Sequence, residues 1–150
     1  MRKEIVSWDR CKQEYVKSVD VDSDKIASII KMSKVRLRFL QKQEADKETA
    51  SIITEGYYDV IKELLIALLL KVGFKSANHE CLISYFQTHY PQYEYETSIL
   101  SELKNIRNRI TYDGIFVEKS YLDKNRLEFE HIISLLLNIL NQEIINAKSD

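Results

Sequence analysis

Glycine and proline are scarce, with three glycines and one proline in 150 residues. A β-sandwich or barrel needs turn residues about every 8–12 positions, so an all-β architecture is excluded and a mostly helical chain is expected. Cysteine is nearly absent. Cys11 and Cys81 lie seventy positions apart with no CxxC pair, so neither a zinc knuckle nor a dense disulfide framework is on offer, and a reducing cytosol fits best. Long hydrophobic runs are missing too. The longest, Leu64 to Leu70, falls far short of the roughly 20 residues that span a bilayer, and the start from Met1 to Asp9 has no apolar leader segment, so a soluble cytoplasmic protein is expected.

Neither sign of charge dominates. Lys and Arg total 22 against 23 Asp and Glu, giving a net charge of -1, without the basic excess that non-specific coating of DNA requires. Three isolated glycines cannot build a phosphate cradle. No G-x-G-x-x-G, GxxxxGK or G-x-S-x-G pattern occurs, which removes Rossmann and P-loop chemistry, and no cofactor is expected.

What is present is helical periodicity. Ile5, Trp8, Cys11, Tyr15 and Val16 suggest a short helix over about 4–17, within an N-terminal extension (1–20) packed on the bundle. Asp20 to Asp24 offers N-caps for a helix whose apolar face is Ile26, Ile29, Ile30, Leu37 and Leu40, running to about Gln43. Asp46 to Thr49 can cap the next helix, which ends at Val72-Gly73. Its second half is apolar nearly all round, as befits the most buried element. A shorter helix capped by Ser76 or Asn78 stops before Tyr90-Pro91, and Pro91 to Glu96 reads as a loop with Glu94 and Glu96 solvated.

A further helix carries Ile99, Leu103, Ile106 and Ile110, with Gly114 just past its end. Ser120 and Asp123 suggest a capping box for the last helix, with Leu122, Phe129, Ile133, Leu136, Leu140 and Ile144 on its core stripe and Ser149 and Asp150 fraying. The expectation is a single domain over 1–150, an all-α, up-and-down helical bundle of four to five principal helices.

Chemistry-bearing residues are few. His131 reads as structural or surface, His89 as a C-terminal cap, and His79 as a first-turn residue without an HExxH partner, so no metal site is expected. Between Lys25 and Gln43 there is no acidic residue. Lys31, Lys34, Arg38 and Lys42 recur at steps of three and four, a basic stripe that could touch RNA phosphates or an acidic partner, or be merely solvated. The densest constellation is Lys104-Asn105-Ile106-Arg107-Asn108-Arg109-Ile110-Thr111-Tyr112-Asp113-Gly114. Cations near a helix C-terminus complement its dipole. That explains the charges but not the face formed by Asn108 and Tyr112 four residues apart.

This stretch resembles the Arg-Asn-x-x-x-His motif of the HEPN family (higher eukaryote and prokaryote nucleotide-binding). The run Gly56 to Leu70 is similar to the long second helix of archaeal and bacterial HEPN proteins, and Gly73 to Ile83 to the turn and third helix, so the resemblance spans about residues 22 to 145. It implies a helical homodimer with an RNase site at the interface, in which Arg107 and Asn108 match the motif, Tyr112 occupies the histidine position, and Gly114 stands where some members carry a tyrosine.

The family includes toxins whose partner nucleotidyltransferase adds AMP to that tyrosine. Metal-independent RNA cleavage needs a base, an acid and a cation at the phosphate. Arg107 could supply the cation, whereas an unperturbed tyrosine is ionised only about one part in a thousand at pH 7. The expectation is a dimeric module that binds RNA or nucleotide through Lys104, Arg107 and Arg109, aided by Lys31, Lys34, Arg38 and Lys42. It could instead partner a nucleotidyltransferase in a toxin-antitoxin-like system, and it would be non-catalytic because of Tyr112. The alternatives are a ribonuclease using Arg107, Asn108 and Tyr112, and an unrelated bundle in which the cluster is only a helix cap.

Overall fold

In the computed structural model the backbone is described for residues 4–149 and side chains for residues 4–142, so Ile144, Ser149 and Asp150 fall outside the side chains described. The chain is an all-α helical bundle. Its elements, among the described residues, are α1 (Trp8–Glu14), β1 (Val16–Ser18), α2 (Ser23–Gln41), α3 (Ala50–Lys71), β2 (Phe74–Ser76), α4 (His79–His89), α5 (Glu94–Asp113) and α6 (Lys119–Ser149), with a 3-10 turn at Pro91–Tyr93.

Helix α3 is the hub, and α2, α4, α5 and α6 all pack on it. Tyr57, Val60, Ile61, Leu64, Leu65, Ala67, Leu68 and Leu69 are buried along it, the all-round burial that its composition requires. From α6, Leu122, Phe129, Ile133, Leu136 and Leu140 complete the core. Helix α2 packs tightly on α3 at Gly56, where a Cβ would lie 2.6 Å from Leu40 Cδ2.

The helix ends follow local chemistry. Asp22 caps α2 by accepting the Lys25 N–H at 3.0 Å, and Asn78 caps α4 by accepting from Glu80 and Cys81. Before α3, Asp46 Oδ1 accepts the N–H groups of Glu48 and Thr49, and these bonds lower its carboxyl pKa. Gly114 ends α5 at φ 65°, the left-handed conformation that glycine adopts most readily. At the junction of α2, α3 and α6, Arg126 donates Nε to the Tyr57 hydroxyl at 2.9 Å and Nη2 to the carbonyls of Leu40 and Gln43. The Tyr57 hydroxyl in turn donates to Glu130 at 2.8 Å.

Four expectations need correction. The N-terminal helix stops at Glu14, and residues 16–18 instead pair antiparallel with β2, Val16 opposite Ser76 and Ser18 opposite Phe74. Cys11 and Cys81, both fully buried, form a disulfide that joins α1 to α4. Structural disulfides persist in oxidising compartments, so the cysteines no longer speak for a reducing cytosol. The segment after Pro91 is not a loop, since α5 begins at Glu94 with Glu94 and Glu96 in its first turn, where the helix dipole favours acids. Ser120 lies inside α6, whose first turn bonds to the Glu118 carbonyl, and Asp123 pairs with Lys119 at 2.7 Å instead of closing a capping box. Among the described residues no helix is long and apolar enough to cross a membrane.

Candidate functional site

The polar end of α5 lies against α3. Arg107 projects inward, its guanidinium carbon 5.6 Å from the centroid of the Tyr58 ring, a cation–π placement, and Nη1 donates to Asn108 Oδ1 at 3.5 Å. Among the described residues no carboxylate forms a salt bridge with Arg107. Tyr58 is 2% exposed. Burial pushes its hydroxyl pKa up to about 12, Arg107 pulls it down, and Asp59 and Tyr112 add to the rise. The ring under the guanidinium is therefore a neutral phenol. Tyr112, one helical turn beyond Asn108, is 75% exposed.

His79 joins this neighbourhood from the first turn of α4. Burial lowers its pKa first, and the positive charges of Lys62 and Arg107 lower it further, against the opposing pull of Asp59 and Glu63. Lys62 itself is ion-paired with Asp59 at 3.7 Å and Glu63 at 3.9 Å. Nothing in the sequence near Arg107 points to His79. The only available signal is that a short, Asn-capped helix must pack back on α3, and it does so with its first residue toward α5.

The other expected residues are distributed differently. Arg107 and Arg109 are two positions apart, so about 200° separates them around the helix. Arg109 is directed instead to a pocket of about 230 Å³ lined by Ile106, Ile115, Phe116, Val117 and Tyr121. Neither arginine lies in the last turn of α5, which holds no basic residue, so dipole complementation alone does not account for them. Lys104 is half-buried one turn before Asn108. Lys31, Lys34, Arg38 and Lys42 are all exposed on α2. Helix α2 meets α3 at Gly56, while Arg107 meets it at Tyr58, again about 200° away. The stripe and the Arg107 cluster therefore occupy different sides of α3.

The remaining histidines play structural parts. His89 Nδ1 lies 2.9 Å from the Tyr85 carbonyl, its ring stacked on Tyr85 and edge-on to Trp8. His131 Nε2 lies 3.6 Å from Glu96 Oε1, bridging α6 to α5.

The end of the bundle beside Arg107 is tied together and apolar outside. Ser51 Oγ accepts the Val117 N–H at 2.7 Å and Thr111 donates to Glu55 at 3.4 Å, which holds the 114–118 connection against the start of α3. Ile52, Tyr112, Ile115 and Phe116 remain exposed there, Phe116 at 71%. Chemically, the cluster presents an unneutralised guanidinium with an amide and a phenol on its flank. These groups suit a phosphate or another planar anion. Compared with known protein families, with curated proteins and with solved structures, the chain matches none.

Proposed function

We propose that the chain is a HEPN-like dimeric module that binds RNA or nucleotide phosphate, with Arg107 as the anion contact and Asn108, Tyr112 and Lys104 beside it. The observation that carries this reading is Arg107 itself, oriented by Tyr58 and Asn108 and left without a carboxylate partner among the described residues. The exposed apolar group of Ile52, Tyr112, Ile115 and Phe116 supports a two-fold interface next to it, because a patch of this kind is covered in a stable assembly. A nucleotidyltransferase docking on the same patch, as in toxin-antitoxin-like pairs, is the competing occupant. Tyr112, exposed to solvent, favours binding over hydrolysis. A cytoplasmic setting goes with this reading and requires the fold to hold with Cys11 and Cys81 reduced.

The test is fluorescence polarisation with a labelled single-stranded RNA and with AMP, alongside sedimentation of the free protein. Arg107→Ala should weaken binding about tenfold at unchanged melting temperature. Wild-type affinity retained in both Arg107→Ala and Tyr112→Ala would sink the proposal, and a strictly monomeric protein at micromolar concentration would remove the dimer from it.

A second reading, RNA cleavage, is favoured by His79. Burial, with the charges of Lys62 and Arg107, lowers its pKa and so favours the neutral imidazole, the form that can accept a proton, within the electrostatic reach of Arg107. Cleavage of RNA in EDTA that is lost in His79→Ala would establish it, whereas intact RNA after long incubation would discard it.

A further inference from the structure

Helix α2 packs on α3 through Ile26, Ser33 and Leu40 and leaves a different apolar set outside. Met32, Val35 and Phe39 are 50%, 43% and 63% exposed, at steps of three and four that align them as one ridge. At 100° per residue, Arg36 flanks this ridge on one side and Lys31, Arg38 and Lys42 on the other. All four cations are exposed, none is ion-paired among the described residues, and no acidic residue falls between Lys25 and Gln43. In a chain of net charge -1 this is a strongly positive, unneutralised face with an apolar centre.

We propose that the outward face of α2 docks an acidic amphipathic helix of a partner protein. Three observations select that occupant. A second copy of this chain, paired through the same face, would set these cations against their own kind. Met32 and Val35 offer nucleic acid no stacking surface, and only Phe39 could serve a base. An apolar stripe flanked by Asp and Glu would remove the ridge from water and neutralise both flanks at once, along the part of α2 from Lys31 to Gln41, about 16 Å. The face lies around α3 from Arg107, so this docking does not depend on the phosphate reading above.

The probe is a fluorescein-labelled synthetic peptide of about 20 residues, with leucines at helical spacing flanked by glutamates, titrated against the full chain. We expect saturable binding that weakens steeply with salt. Phe39→Ser and the Lys31→Glu/Arg38→Glu double variant should each weaken it about tenfold, while Lys124→Glu, a charge reversal on α6, leaves it unchanged. Phe39, Lys31 and Arg38 are exposed, so an unaltered melting temperature is expected, and Val35→Thr provides a second, milder probe of the ridge. The proposal is overturned if the peptide does not bind, or if a scrambled peptide of equal composition binds as tightly. It is equally overturned if single-stranded RNA or phosphatidylglycerol vesicles bind more tightly than the peptide and lose that binding in the same variants.

Discussion

Arg126 reaches from α6 to the Leu40 carbonyl at the end of α2 and to Gln43 O just beyond it, the latter at 2.8 Å from Nη2, while Nε meets the Tyr57 hydroxyl of α3. Arg126→Met keeps the packed stem but leaves two carbonyls, a phenol and Glu130 with unmet demands. The expected loss is about 2–4 kcal/mol in denaturant unfolding, since hydrogen bonds to charged groups are the stronger ones and their buried partners do not regain water. A loss below about 0.5 kcal/mol would show the junction to be solvated.

His79 gives a second test at this scale. Arg107→Gln removes one of the charges that depress its imidazole, so the titration followed by NMR should move upward. With its folded pKa below the ordinary 6.5, His79 contributes stability that is present above that pH and lost as pH falls through the folded value. An unmoved titration would place Arg107 away from His79. Arg107 and Asn108 are legible as candidates from their motif. Tyr58 and His79 are not, because what makes them relevant is a ring contact across 49 positions of chain and an electrostatic influence across 28, neither of which periodicity encodes.

The helices are legible because each repeats its apolar residues at 3.6 and carries its own start or stop signal, as at Asp22, Asn78 and Gly114. The two strands escape the same reading. Three residues are too few for an alternation, and the partner of Val16 lies 60 positions away at Ser76. The antiparallel pair and the disulfide belong together, since β1–β2 pairing sets α1 beside α4 and so brings Cys11 to Cys81. Loop-closure entropy over the 70-residue separation amounts to about 4 kcal/mol. Reduction should therefore lower the melting temperature. Amide exchange should rise first in α1 and β1, the elements attached to the bundle by the fewest other contacts. Equal melting with and without reductant would mean that the bond contributes nothing to the native state.

For the molecule as a whole, Tyr57, Tyr58 and Tyr121 share one electrostatic fate. Burial raises each hydroxyl to about 12, helped at Tyr57 by Glu130 and at Tyr121 by Glu102. A folded pKa above the unfolded value of 10 means stability that is complete below pH 10 and lost as pH climbs toward 12. The loss should be smallest for Tyr121, which is only partly buried, because solvent screens its shift. Denaturant unfolding across this range checks it, with Tyr121→Phe expected to flatten the slope. The bundle class follows from composition, because a chain with so little glycine and proline has few other ways to bury its apolar residues. The distribution of charge over the finished surface does not. A net charge of -1 conceals a run from Lys25 to Gln43 without a single acid, and the sides of α3 on which that run's cations and Arg107 stand emerge only when the helices are assembled.

The link between Cys11 and Cys81 turns part of the backbone into a ring, and all of α2 and α3 lie within it. Cutting the exposed connection at 42–49 opens that ring without dividing the molecule. A nicked sample should migrate as one covalent species in a denaturing gel and separate into two fragments only when reductant is added, so that topology, before any measurement of stability, reports whether the cysteines are joined.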